Sequence, residues 1–169
     1  FAQDPGWEGV GNKDSFIDHV QYGVHDFGYS PNTRFAGGEK PGEIGGRLWS
    51  VNSDQDWLKA HYGGDTGKLT MDDKLLARGK IAFPKFSVDS SMCLGWFNSA
   101  GQGWPVKNFV GVYFDSLTSN GRFIAPFYGT ADGNDGGAEQ AQAVWFQPDG
   151  RVYDWTLTYD PDAAGGRGA

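Results

Sequence analysis

Turn-forming residues fall about every ten positions along this chain, and the segments between them alternate in polarity rather than repeating every three to four residues. Leu75, Ala77, Gly79, Ile81 and Phe83 interleave with Leu76, Arg78, Lys80 and Ala82, and Pro84 follows. Tyr153, Trp155, Leu157 and Tyr159 interleave with Val152, Asp154, Thr156 and Thr158. Successive side chains of an extended chain point to opposite sides, so this pattern marks strands with one face covered. Residues 16–24 show it again, with Val20, Tyr22 and Val24 against Gln21, Gly23 and His25. Residues 44–51, 91–98 and 107–115 are further strands. Asn120-Gly121 predicts a hairpin turn between apolar runs at 110–117 and 123–127. Pro148-Asp149-Gly150 predicts a second hairpin, joining 144–147 to 151–159. The single predicted helix covers 52–61, where Ser53 and Asp56 form a weak capping box before Trp57 and Leu58.

Short strands with one helix predict an all-β antiparallel sandwich, formed as one domain over residues 1–169. Parallel βαβ units need repeated helices, which are missing. The segment Asp160-Pro-Asp-Ala-Ala-Gly-Gly-Arg-Gly reads as a turn leading to another strand. The expectation is that the domain is cut at its C-terminus or that a partner chain supplies that strand.

The 27 glycines have no collagen-like period, and aromatics at 15% need a packed interior, so many turns explain the glycine better than disorder. The net charge of -7 and the lack of any Lys/Arg run argue against a nucleic-acid partner. No apolar run approaches membrane-spanning length. The chain begins at Phe1 without Met, as a processed or trimmed chain would, and shows no signal peptide. Cys93 sits in the apolar run Ser-Met-Cys-Leu-Gly-Trp-Phe and is expected to be a buried core thiol. Zinc spacings, phosphate-cradling loops and nucleophile elbows are absent.

Residues 21–46 crowd aromatics, carboxylates, a histidine and glycines together. Asp26, Glu43, Arg47, His25 and Tyr29 form the candidate catalytic cluster, with Asp4, Trp7 and Glu8 nearby. Glycoside hydrolysis needs two carboxylates roughly 5–5.5 Å apart for retention or 6.5–9.5 Å for inversion. Polysaccharide elimination needs a base, here His25 or Tyr29, and a cation such as Arg47. The competing reading is a clasp, with Asp26 capping a turn, Glu43 accepting from loop amides and Arg47 pairing with either. Trp7, Glu8, Trp96, Asn98 and Trp104 are candidate glycan contacts, because sugar rings stack apolar C–H faces on amphipathic rings beside polar groups. Trp155 and Phe97 are assigned to the core. Asp132, Asn134 and Asp135 are a candidate calcium loop, although it is too short for an EF-hand and reads equally as a solvated turn.

Asp4-Pro-Gly-Trp7-Glu-Gly, Asp26-Phe-Gly-Tyr-Ser30, Ala36-Gly-Gly, Gly42-Glu-Ile-Gly-Gly46, 69–79, Gly95-Trp-Phe-Asn98 and Trp155-Thr-Leu-Thr-Tyr-Asp-Pro161 resemble motifs of secreted planctomycete-type bacterial proteins. The resemblance covers nearly the whole chain. It implies a concanavalin A-like jelly roll of the laminin-G or lectin/glucanase kind, a cell-exterior location and a glycan-linked setting. It supplies no catalytic residues, and the Glu-x-Asp-x-x-Glu strand motif of laminarinase-like hydrolases is missing. The leading expectation is a polysaccharide-binding lectin-like domain needing no cofactor. The alternatives are a glycoside hydrolase or lyase built on Asp26, Glu43 and Arg47, and a structural interaction module.

Overall fold

The structure is a computed structural model that describes residues 1–51, 59–88, 90–101, 107–117, 121–137, 144–166 and 168. The described residues form antiparallel β-strands with almost no helix. The largest sheet contains β8 (Ser91–Phe97), β9 (Phe109–Leu117) and β10 (Gly121–Gly129) in antiparallel order. β11 (Asp135–Gly137) and β12 (Val144–Phe146) both pair with the outer edge of β10. Nine residue pairs tie β10 to β9, from Gly121↔Leu117 to Gly129↔Phe109. That ladder agrees with the hairpin predicted at Asn120-Gly121, although residues 118–120 lie outside the described residues.

A ribbon of β7 (Leu75–Ala82) and β13 (Val152–Tyr159) covers one face of this sheet. Phe83, Phe114 and Phe146 are buried at the junction, with Ile81, Met92, Leu94, Val112, Ile124 and Tyr153 packed around them. The Phe83 ring lies 4.7 Å from Phe146 and 5.2 Å from Phe114. Each such ring contributes about 1.5–3 kcal/mol by leaving water. The alternation predicted for 152–159 is observed in full: Tyr153, Trp155, Leu157 and Tyr159 are partly buried, while the residues between them are exposed.

Two expectations fail here for identifiable reasons. Residues 144–147 and 151–159 do not form a hairpin, because β12 pairs with β10 while β13 pairs with β7. The turn at 148–150 instead carries the chain from one layer to the other. Phe146 anchors one end in the core, and the Gly150 N–H donates to the Phe83 carbonyl at 3.1 Å. Gly150 has φ 79, where a side chain would be strained. Phe97, assigned to the core, remains 36% exposed, with its ring edge-on to His61 at 5.3 Å.

The N-terminal part forms three two-stranded ribbons. β1 (Glu8–Val10) pairs with β6 (His61–Gly63). His61 is therefore extended rather than helical, and residues 52–58 of the predicted helix lie outside the described residues. β2 (Ser15–Asp18) and β3 (Gln21–Val24) replace the single strand predicted over 16–24. The chain reverses at His19 and Val20, with His19 at φ 58 and its Nδ1 2.9 Å from Asp18 Oδ1. β4 (Asp26–Ser30) and β5 (Glu43–Arg47) form the third ribbon.

Candidate functional site

The loop across residues 31–42 returns the chain so that β5, with Glu43 and Arg47, pairs with β4, with Asp26 and Tyr29. The pairing runs from Asp26↔Arg47 to Ser30↔Glu43. Asp26 and Glu43 thus stand at opposite ends of the ladder, four residues or about 13 Å apart along the strands at 3.3 Å per residue. Paired glycosidase carboxylates stand closer, at roughly 5–9.5 Å. Gly46, at φ 133, lets the two backbones close, since a Cβ there would overlap the Asp26 carbonyl.

Glu43, Asp26 and the adjoining His25 each have a partner nearby. The Glu43 carboxylate accepts from the backbone N–H groups of Phe35 and Ala36, both at 3.0 Å. The Gly42 N–H donates to Thr33 O at 2.9 Å, so the glycine-rich loop is held at two levels. Asp26 is exposed and accepts from Lys13 Nζ at 2.6 Å. The Lys13 ammonium, with a smaller contribution from Arg47, holds the Asp26 carboxyl below its ordinary value. His25 is 2% exposed, between the rings of Phe16 and Phe27, and its Nδ1 accepts from the Trp49 N–H at 3.2 Å. The acceptor role of Nδ1 places the proton of the neutral ring on Nε2. Tyr29 is half-buried on β4, and Arg47 is exposed on β5.

The described candidate glycan contacts lie at β1, on β8 and in the turn after β8. Trp7 packs against Phe1 at 5.4 Å and Tyr62 at 6.0 Å, beside Glu8 on β1. Trp96 is half-buried on β8. Asn98 builds its own turn, with Oδ1 accepting from the Ala100 N–H at 2.9 Å. Trp104 lies outside the described residues.

The acidic loop closes on itself. Thr130 Oγ1 donates to Asp132 Oδ1 at 2.7 Å, and Asn134 Nδ2 donates to Asp132 Oδ2 at 3.2 Å. These hydrogen bonds, led by Thr130, hold the Asp132 carboxyl below its ordinary value. Asp135 belongs to β11 rather than to the turn. Among the described residues, no group of three or more His, Cys, Asp or Glu side chains is placed to hold a metal ion.

Sequence reasoning missed a cleft of about 220 Å³ on the other face of the large sheet, where Tyr113, Phe123, Ala125, Phe127, Asp135 and Gly137 converge. The register explains it. Phe123, Ala125 and Phe127 share one face of β10, and Ala125 lies directly opposite Tyr113 on β9. The small Ala125 leaves a floor between two rings. Along the outer edge of β10, β12 pairs with Arg122–Ile124 and β11 with Phe127–Gly129. Ala125 and Pro126 have no strand partner there among the described residues, and Pro126 has no N–H to offer one. The Tyr113 ring lies 5.6 Å from Phe127 and 6.3 Å from Phe123. Its hydroxyl shares hydrogen bonds with Asp115 and Ser91, and burial, then Asp115, raises its pKa above the ordinary value. Behind Tyr113, on β8, Cys93 is half-buried rather than in the core, and that burial pushes its thiol up to about 12. The missed signal was the near-continuous apolar run of β9 and β10, which marks strands apolar on both faces.

No family model, curated protein or solved structure matches this chain.

Proposed function

We propose that the chain is a carbohydrate-binding module whose candidate glycan contacts are aromatic, among them the exposed Trp7 and the cleft lined by Tyr113, Phe123 and Phe127. The observation carrying this reading is the convergence of three aromatic rings and the Asp135 carboxylate beside a stretch of β10 that has no strand partner among the described residues. Sugar rings offer apolar C–H faces to such walls and hydroxyls to a carboxylate. The cleft suits one ring rather than a long chain, since sites for drug-sized ligands span roughly 300–1,000 Å³. Trp7, Trp96, Asn98 and Trp104 remain candidates for contacts with flanking sugars.

The proposal includes a concanavalin A-like jelly roll acting at the cell exterior. The two-layer packing of the β7–β13 ribbon on the large sheet supports the architecture. The sequence resemblance supports the location.

Affinity electrophoresis through gels carrying a broad panel of polysaccharides tests the binding. The native chain is retarded by at least one glycan, and Phe127→Ala abolishes the retardation without releasing sugars. If no glycan retards the native chain, the reading fails. Glycan cleavage is the second reading, favoured by the exposure of Asp26 and Arg47 at one end of their ladder. An Asp26→Asn protein that keeps any activity found would remove it.

Mutual hydrogen bonding within 130–134 supports a turn that keeps its shape without calcium. EDTA is expected to leave Tm unchanged, and a fall of several degrees would place an ion there.

A further inference from the structure

We infer that the open edge of β8 pairs with the β8 edge of a second copy of this chain, joining two large sheets across a two-fold axis. β8 ends its sheet, with β9 on one side and no strand partner on the other among the described residues. An antiparallel strand turns alternate residues toward each of its two edges. The Asn98 N–H donates to Asn108 O at 3.2 Å, and that pair continues the β8–β9 register. Met92, Leu94 and Trp96 therefore direct their backbone groups to β9, and Ser91, Cys93, Gly95 and Phe97 direct theirs to the open edge. Gly95 and Gly111 agree. A Cβ on either would overlap the facing backbone, as expected of the narrow pairs that exchange no hydrogen bonds.

An open edge invites another strand unless charge, proline or a bulge blocks it. β8 carries none of these. Ser-Met-Cys-Leu-Gly-Trp-Phe is uncharged and free of proline, and it runs unbroken against β9. Every other described strand of five or more residues carries a charged side chain. The register selects a second copy as the occupant. With Leu94 on the two-fold axis, Ser91 meets the partner's Phe97 and Cys93 meets the partner's Gly95. All four outward-facing residues then find outward-facing partners along the whole strand, and each such pair exchanges two hydrogen bonds. An interface of this kind uses the same patch on both copies. Each copy has a net charge of -7, and this edge lets two of them meet with no like-charged pair in the seam.

Amide hydrogen exchange read residue by residue by NMR, with sedimentation at the same concentrations, tests the inference. Concentrating the native chain is expected to produce a dimer and to slow exchange at Cys93, Gly95 and Phe97 by about tenfold or more. Met92, Leu94 and Trp96 are expected to be protected at every concentration, because β9 holds them. Cys93→Pro removes an outward N–H from the seam and is expected to keep the chain monomeric. Where that variant fails to fold, the native exchange pattern still decides. A native chain that stays monomeric at the highest concentration overturns the inference, as does a folded Cys93→Pro protein that dimerises like the native chain. A dimer whose Cys93 and Gly95 amides exchange as fast as in the monomer also overturns it, since another surface then joins the copies. Outward amides already protected in the monomer overturn it too, because a segment of the same chain then covers the edge.

Discussion

The β4–β5 ribbon and the outer face of the large sheet are both rich in chemically able side chains, but they differ in what those side chains already touch. In the ribbon, Glu43 holds two loop amides, Asp26 holds Lys13, and His25 is enclosed by two phenylalanines and capped by the Trp49 amide. On the sheet, Tyr113 packs against Phe123 and Phe127, and the three rings line a cleft of about 220 Å³. A dense cluster of polar residues therefore marks a segment that must satisfy its own backbone as readily as it marks a reactive site. Ligand sites are more often concave and walled by apolar side chains with a few polar groups.

Experiments can break or sharpen this contrast, and the largest effect belongs to the core beneath the sheet. Phe114→Ala removes a ring that is 2% exposed and is expected to cost about 3–5 kcal/mol in denaturant unfolding. A loss below about 1 kcal/mol would mean that the ribbon and sheet do not share a tight core. Glu43→Ala strands two loop amides and is expected to cost about 1–3 kcal/mol, less for Glu43→Gln, which keeps one accepting oxygen. Unchanged stability in both variants would free Glu43 for the catalytic reading.

Ser116 should respond in the opposite direction. It is 1% exposed, and its Oγ has no hydrogen-bond partner among the described residues. Ser116→Ala is therefore expected to be neutral or to stabilise by about 1 kcal/mol, because it removes an unsatisfied buried hydroxyl. The smallest effect is at Asp26. Its folded pKa is depressed, so the Lys13 contact contributes stability above the ordinary value of 3.8 and loses it as the pH falls through the lower folded value. Native and Asp26→Asn proteins should differ slightly in Tm near neutral pH and converge in acid. A difference that persists at the lowest pH would require another origin.

Strand alternation was legible wherever one face met the core and the other met solvent, as in Tyr153 to Tyr159. The reversal at His19 and Val20 was not, because neither is a habitual turn residue and His19 takes a positive φ that Asn or Gly more often supplies. The clasp at Glu43 was legible as one of two readings, since a carboxylate beside a glycine loop has amides within reach. The cleft was hidden because it depends on register. Only the pairing of Ala125 with Tyr113, and the separate landing of β11 and β12 on one edge, leave room between the rings. The false hairpin at 148–150 shows the same limit, because Pro-Asp-Gly specifies a turn but not the strand to which the chain returns.

The layer change at 148–150 also bears on how quickly the chain reaches this state. Neighbours in sequence build the β9–β10 hairpin, so it can assemble early. Lys80 and Asp154 meet across β7 and β13 at a separation of 74 residues, and that closure must wait for the intervening chain. Contacts between such distant segments slow folding, because the entropy of closing the loop is lost before the contacts form. The β7–β13 ribbon is thus expected to be the last part to dock and the first to detach, and refolding followed at Trp155 should lag behind that followed at Tyr113.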